Sequence, residues 1–125
     1  MTENELSYKI IGSAIEVHKN LGAGLLENTY ELALAYELKK LGLDVKQQIY
    51  LPLQYKEFNI ENAYKIDLLI EDKIIVEVKS VLEMHSVFKA QLLTYLKLTN
   101  LKLGLLINFN TPLIKDGIHR IVNNL

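Results

Sequence analysis

The amino-acid sequence predicts an α/β fold in which helices flank a mixed β-sheet. Apolar residues recur at helical spacing in three segments, and the segments between them are rich in β-branched and aromatic residues that lack this spacing. Residues 63–79 are apolar on both faces, which is typical of strands covered on both sides. The predicted element order is helix, helix, four strands, helix, strand, strand.

Three helices are predicted, and glycines mark the ends of the first two. The first covers about residues 6–21 and stops at the glycine-rich corner 22–24. The second begins near residue 25 or 26, and Gly42 ends it. The third covers about residues 87–99. A tight corner is therefore expected between the first two helices.

The strands are predicted from runs of strand-favouring residues. Residues 45–55 are one such run, and residues 63–79 are expected to form a hairpin with its turn at 71–73. Residues 103–109 are predicted to form a further buried strand, and residues 117–122 a short last one. Helices are expected to cover this sheet.

The composition limits the classes of protein to which the chain can belong. With 125 residues, 50% of them hydrophobic and 23% charged, it is expected to fold as a single domain over residues 1–125. It has no cysteine, which excludes disulfides, thiol catalysis and a thiolate zinc site and favours an intracellular, cytoplasmic protein. We find neither a secretory signal nor an apolar run of the roughly 20 residues that a membrane span needs.

The charge balance limits how the chain can bind nucleic acid. Fourteen basic and fifteen acidic residues leave a net charge of -1, so no overall field attracts a polyanion. Arg120 is the only arginine, and the other cations are lysines. Because bidentate arginine contacts are a common route to base-specific reading, any recognition of nucleic acid is expected to depend on its backbone or shape.

Charged residues lie inside the apolar hairpin, where they are costly unless they have a partner or a purpose. Counting back from a turn at 71–73 places Asp67 opposite Glu77, and the alternation of side chains puts Lys79 on the same face. We therefore expect these three side chains to converge. Two carboxylates so close repel each other unless they share a proton, water screens them or a cation lies between them.

Two interpretations of this cluster stay open on the residues alone. A hard divalent ion such as Mg²⁺ is held by carboxylates and keeps positions for phosphate oxygens and water, and Lys79 could stabilise developing negative charge. A structural ion-pair cluster accounts for the residues as well, because buried pairs also occur away from active sites. An acid two residues before a lysine occurs four times in the chain, so only the apolar context distinguishes Glu77 and Lys79.

Two further polar residues occupy positions where apolar side chains are expected. Gln91 falls on a helical stripe with Met84, Phe88 and Tyr95, and this stripe is predicted to face the sheet rather than water. Glu27 opens the second helix. A hydrogen-bonded core amide, and a carboxylate favoured by the helix dipole, are the simpler explanations of these two residues.

Gly24, Glu27 and Tyr30, with the residues around them, resemble the motif of the GxxExxY protein family, a branch of the PD-(D/E)XK nuclease superfamily. The similarity extends along most of the chain, through the segments VHKNLGAGLLENTYELAL, YKIDLLIEDKIIVEVKS, QLLTYLKLTNLKLGLLINF and KDGIHRIVN. The resemblance implies a restriction-endonuclease-like core made of a helix, a three-stranded meander, a second helix and a further strand.

The resemblance also implies an active site and a cofactor. Asp67 and Glu77, with the main-chain carbonyl of Val78, match the positions that hold Mg²⁺ or Mn²⁺, and Lys79 matches the motif lysine. A further metal-site acid from the first core helix and an active-site glutamine from the following helix are also implied, at Glu27 and Gln91.

The predicted function is therefore a magnesium-dependent nuclease that hydrolyses phosphodiester bonds of DNA or RNA. The alternative is a non-catalytic nucleic-acid-binding or protein-assembly module that retains the nuclease fold, and the near-neutral charge and the scarcity of arginine favour it. Because the chain is short for a nuclease that grips a duplex alone, a homodimer is expected.

Overall fold

A computed structural model describes all residues, 1–125, and shows a five-stranded sheet with helices on both faces. The predicted α/β class, a mixed sheet flanked by helices with a restriction-endonuclease-like core, is confirmed. A short 3-10 turn at Ile114–Gly117 precedes the last strand. The other elements, in chain order, are α1 (Glu3–Leu21), α2 (Glu27–Lys40), β1 (Val45–Tyr55), β2 (Phe58–Ile70), β3 (Ile74–Lys79), α3 (Ser86–Thr99), β4 (Leu103–Asn108) and β5 (Ile118–Val122).

The strands follow one another across the sheet in the order of the sequence, β1-β2-β3-β4-β5. Only β3 and β4 are parallel, and α3 connects them. The expectation of four strands between the second and third helices was wrong, because there are three. β1 continues through Pro52, where its pairing with β2 shifts between Leu51 and Leu53, and an edge strand tolerates proline at such a shift.

Two hydrophobic cores hold the sheet between its helices. The larger core has 18 buried residues and joins α1 and α2 to one face of the central strands. The smaller core joins α3 to the other face through Leu92 and Leu96, which contact Ile66, Ile75 and Leu106. The central strands are therefore covered on both sides, as their apolar sequences indicate.

The observed ends of the elements differ from the predicted ends by a few residues. α1 begins at Glu3 rather than near residue 6, because Thr2 and Glu5 form a capping box in which each side chain binds the other residue's backbone N–H. β2 begins at Phe58 rather than near residue 63, so the β1–β2 hairpin is longer than expected.

Two glycines make a matched pair for testing the packing of the β4–β5 edge. A Cβ at Gly117 would lie 2.0 Å from the backbone oxygen of Asn108, so Gly117→Ala should lower the free energy of unfolding by about 2–4 kcal/mol. A Cβ at Gly12, inside α1, meets nothing within 4 Å, so Gly12→Ala should raise it by about 0.5–1 kcal/mol. Urea denaturation of both variants tests the pair, and equal shifts would contradict the packing.

Candidate functional site

The strands β2 and β3 pair in the register that the sequence predicts, with Ile70 opposite Ile74 and Leu68 opposite Val76. This ladder of paired residues ends one step before Asp67 and Glu77. The predicted turn of three residues, 71–73, is therefore present.

Beyond the end of the ladder, the side chains of Asp67 and Glu77 form the hydrogen bonds that connect β2 and β3. Glu77 Oε2 accepts a hydrogen bond from the Asp67 backbone N–H at 2.8 Å, and Asp67 Oδ2 accepts one from the Val78 backbone N–H at 2.9 Å. The second oxygen of each carboxylate accepts no hydrogen bond from the protein. Each acid thus binds the backbone of the opposite strand and keeps one oxygen for another partner.

The regular alternation of side chains fails at Asp67. Ile66 belongs to the core beside α3, whereas Leu68 belongs to the core beside α1 and α2, although the two residues are two positions apart on one strand. The other neighbouring strand, β1, is irregular opposite Asp67, because Gln48 has a φ of 52°. Asp67 consequently opens toward α2, so the expectation that Asp67 shares one face with Glu77 and Lys79 was wrong in this respect.

Glu77 and Lys79 continue the row of Ile75, which faces α3. The Lys79 Nζ lies 4.5 Å from the centroid of the Phe88 ring on that helix, a cation–π contact. The Lys79 carbonyl accepts a hydrogen bond from the Phe109 backbone N–H at 2.9 Å. The end of β3 is therefore fixed by both its side chain and its backbone.

The Glu77 carboxyl carries the largest electrostatic perturbation in the site. Its residue is 5% exposed, and burial raises its pKa to about 8, with repulsion from Asp67 as the next cause. The backbone hydrogen bond from Asp67 and the charge of Lys79 act in the opposite direction, so they lower this pKa. A carboxyl with such a pKa holds a proton at neutral pH unless a cation replaces it.

A polar cleft of ≈ 250 Å³ lies beside Asp67, between α2 and the sheet. Glu27 lies at its rim, on the first turn of α2, and is exposed. The cleft therefore brings together Glu27, Asp67 and Val78, three of the residues predicted for the site, whereas Glu77, Lys79 and Gln91 do not line it. The full lining is Glu27, Asn28, Glu31, Gln48, Lys65, Asp67 and Val78.

The corner between α1 and α2 positions Glu27. The Tyr30 hydroxyl, whose residue is fully buried, donates to the Gly22 carbonyl at 2.5 Å and accepts from the Leu25 backbone N–H at 3.1 Å. The Ser80 hydroxyl, just after β3, donates to the Leu25 carbonyl at 2.6 Å. These bonds connect the corner to the end of the strand that carries Lys79.

Tyr30→Phe tests this corner without removing the ring, which stacks on Phe109 with centroids 4.6 Å apart. The variant should lose about 1–3 kcal/mol of the free energy of unfolding, because it leaves two backbone groups of the corner without their partner. Tyr36→Phe, on an exposed part of α2, should lose almost nothing. Chemical denaturation of both variants measures the difference, and equal losses would show that the hydroxyl does not hold the corner.

Glu31 is a site residue that the sequence analysis missed. It is 5% exposed and accepts hydrogen bonds from the side-chain amides of Gln48 at 2.5 Å and Gln47 at 3.4 Å. Burial raises its pKa, repulsion from Asp67 adds to this, and the two amides oppose it. The signal was available in the spacing, because residues four apart share a helix face and Glu27 lies four residues before Glu31.

Gln91 does not occupy the position that its stripe indicates. Met84, Phe88 and Tyr95 contact the smaller core, as predicted, but Gln91 is exposed and makes no hydrogen bond within the protein. The prediction that it faces the sheet rather than water was wrong, and so was the simpler explanation as a core amide. The helix places it on the same side of the sheet as Lys79.

The donor set fits a hard divalent cation in chemistry, although no three His, Cys, Asp or Glu side chains form a ready metal-binding group. Asp67 and Glu77 each keep a carboxylate oxygen free, and a bound cation would offset both causes that raise the pKa of Glu77, its burial first and the repulsion from Asp67 second. Glu27 lines the same cleft as Asp67.

The fold and this arrangement define a class of protein. It is a restriction-endonuclease-like α/β protein with two acids and a lysine at the point where the pairing of β2 and β3 ends. A family model described as the PD-(D/E)XK nuclease superfamily matches residues 4–121. The chain belongs to the PD-(D/E)XK nuclease superfamily. Comparison with curated proteins and with solved structures finds no significant match. None of the helices is both long enough and apolar enough to cross a membrane.

Proposed function

We propose that this protein is a magnesium-dependent nuclease that hydrolyses phosphodiester bonds of DNA or RNA. The observation that carries the proposal is that Asp67 and Glu77 each accept a hydrogen bond from the backbone of the opposite strand. These contacts hold two acids beside the gap between β2 and β3 and leave one carboxylate oxygen of each free. Superfamily membership supports the reaction class and a nucleic acid substrate. PD-(D/E)XK nucleases generally use divalent metals such as Mg²⁺.

Each site residue has a role in this proposal. Asp67, Glu77 and the Val78 carbonyl would hold Mg²⁺ or Mn²⁺, with Glu27 as a further acid from the cleft. The ion, when bound, lowers the pKa of water and neutralises phosphate charge. Lys79, held over Phe88, stabilises the charge that develops on the phosphate oxygens. Gln91 lies on α3, on the side of Lys79, and its amide would orient water.

Other parts of the proposal depend on the sequence more than on the geometry. The motif of Gly24, Glu27 and Tyr30 supports assignment to the GxxExxY branch. The family match over residues 4–121 supports one PD-(D/E)XK nuclease-like domain over residues 1–125. The absence of cysteine supports a cytoplasmic location, and the small size of the chain supports a homodimer.

A cleavage assay tests the proposal directly. Purified protein is incubated with end-labelled DNA and RNA, single-stranded and duplex, in Mg²⁺, in Mn²⁺ and in EDTA. Cleavage should require the metal and should disappear in Lys79→Met, whereas Lys73→Met, in the turn of the same hairpin, should cut like the wild type. Cleavage that persists in EDTA, or in Lys79→Met, would contradict the assignment.

A thermal-shift titration separates the nuclease from the non-catalytic module. A ligand that binds only the folded protein raises the melting temperature with its concentration. Mg²⁺ should therefore raise the melting temperature of the wild type, and it should raise that of Asp67→Ala much less. Equal shifts in both proteins, together with no cleavage, would favour the module.

A further inference from the structure

We propose that Tyr50 and Lys65 form a subsite for an unstacked nucleotide beside the candidate active site. The substrate is then single-stranded, or has an unpaired end or loop, where it is cut. This inference rests on the proposed function for the identity of the neighbouring site, and it adds the class of substrate.

The position of the pair is the first observation. Tyr50 and Lys65 lie directly opposite each other in the β1–β2 ladder, and the Lys65 Nζ lies 5.9 Å from the centroid of the Tyr50 ring. Lys65 is two residues before Asp67 on the same strand, a separation of about 7 Å, and both line the cleft. The ring is therefore within reach of a nucleotide next to a phosphate that lies at Asp67.

The Tyr50 ring is available for stacking. Its residue is 58% exposed, belongs to neither hydrophobic core, and its hydroxyl makes no hydrogen bond within the protein. Because β1 is an edge strand, no further strand of the sheet lies beyond it. Single exposed aromatic side chains are common on protein surfaces. Tyr50 differs from them because its ring lies beside Lys65, which lines the cleft.

The charges of the cleft favour a stacked single strand over a duplex. Lys65 is the one cation in the lining, and it faces three acids, Glu27, Glu31 and Asp67. Proteins that bind duplex by its backbone neutralise several phosphates with a broad basic surface, which a single ammonium does not provide. Stacking of a base on an aromatic ring adds affinity without further charge and without sequence preference.

Binding is measured by fluorescence anisotropy in Mg²⁺ with Asp67→Asn as the background of every protein, so that cleavage does not interfere. The probes are labelled oligo-dT, oligo-rU, a blunt duplex of the same length, and a strand of abasic sites with the same number of phosphates. The tighter of the two homopolymers should bind at least about tenfold more tightly than the duplex and the abasic strand.

Three variants on this background test the residues. Tyr50→Ala should weaken homopolymer binding about tenfold or more and leave the abasic strand unchanged, while Tyr50→Phe should preserve binding because it keeps the ring. Lys65→Met should weaken the homopolymer and the abasic strand alike, since both carry phosphates. Tyr8→Ala, at a tyrosine on α1 that is even more exposed than Tyr50, is the control and should change nothing.

The outcomes distinguish the subsite from the nuclease. If the duplex binds as tightly as the homopolymer, or if Tyr50→Ala binds like its parent, the subsite is overturned even where the wild type cuts nucleic acid. If homopolymer binding depends on Tyr50 but the wild type cuts nothing with any metal, the proposed function fails and the subsite stands.

Discussion

Replacing Asp67 with asparagine should reduce nucleic acid cleavage by roughly 100- to 1000-fold while leaving the protein folded. The asparagine side-chain oxygen can still accept the hydrogen bond from the Val78 backbone N–H, which measures 2.9 Å, so the contact between the strands persists. The substitution removes one of the three acids that are proposed to hold the cation, and with it part of the negative charge that would bind the ion between β2 and β3.

Steady-state cleavage rates in Mg²⁺, with circular dichroism to verify the fold, measure this effect. Asp72→Asn is the matched control, because Asp72 is an exposed aspartate of the same hairpin that pairs with Lys46 at 2.7 Å. A surface ion pair of this kind contributes at most about 1 kcal/mol, so the control should cut at the wild-type rate. Wild-type cleavage by Asp67→Asn would show that the strand gap is not the reaction centre.

Glu77→Gln is expected to abolish cleavage and, at the same time, to stabilise the metal-free protein at neutral and higher pH. Burial raises the pKa of the Glu77 carboxyl from 4.5 to about 8. Above pH 4.5 the unfolded chain ionises this group more easily than the folded protein does, so the group lowers the free energy of unfolding. Glutamine keeps an oxygen for the Asp67 backbone N–H and carries no charge to desolvate. The cost that it removes is on the order of 2–4 kcal/mol.

The sign of this effect determines its dependence on pH. Between the unfolded value of 4.5 and about 8 the folded protein binds more protons at Glu77 than the unfolded chain does, so this group makes stability fall as pH rises through that window. Urea denaturation in EDTA should show the two proteins nearly equal at pH 5 and Glu77→Gln more stable at pH 9. A variant that is less stable by the same amount at both pH values would contradict the raised pKa.

The sequence allowed the strand register to be predicted because the signals that set it are local. A short turn and a count of two residues per repeat are enough to place Asp67 against Glu77, and the observed pairs agree. The same reasoning failed for the face of Asp67. The side chains of β2 stop alternating regularly between the two faces at Asp67, and β1 is irregular at the same level, at Gln48. The face of Asp67 therefore depends on another strand, and the local sequence of β2 does not reveal it.

Helical patterns show a similar limit. The stripe through Phe88 and Tyr95 was predicted correctly, but the fully buried residues of α3 are Leu92 and Leu96, so Gln91 lies at the edge of the buried face and is exposed. Glu31 was missed although its spacing from Glu27 places both acids on one face of α2. That spacing does not show that Glu31 is buried and bound by two glutamines of β1, which depends on tertiary contacts, as the exposure of Gln91 does.

Asn108 is buried, and its side-chain amide attaches the segment after β3 to the end of β4, in addition to the contacts of Ser80 and Met84 at the two ends of that segment. Its side chain accepts from the Val81 backbone N–H at 3.0 Å and donates to the Val81 carbonyl at 2.9 Å, as a neighbouring strand residue would. Replacing Asn108 would leave both backbone groups of Val81 without this partner, whereas Ser80 and Met84 would keep their own contacts. The segment between β3 and α3 is therefore held at three separate places, so a substitution at Asn108 should loosen its middle and leave both ends attached.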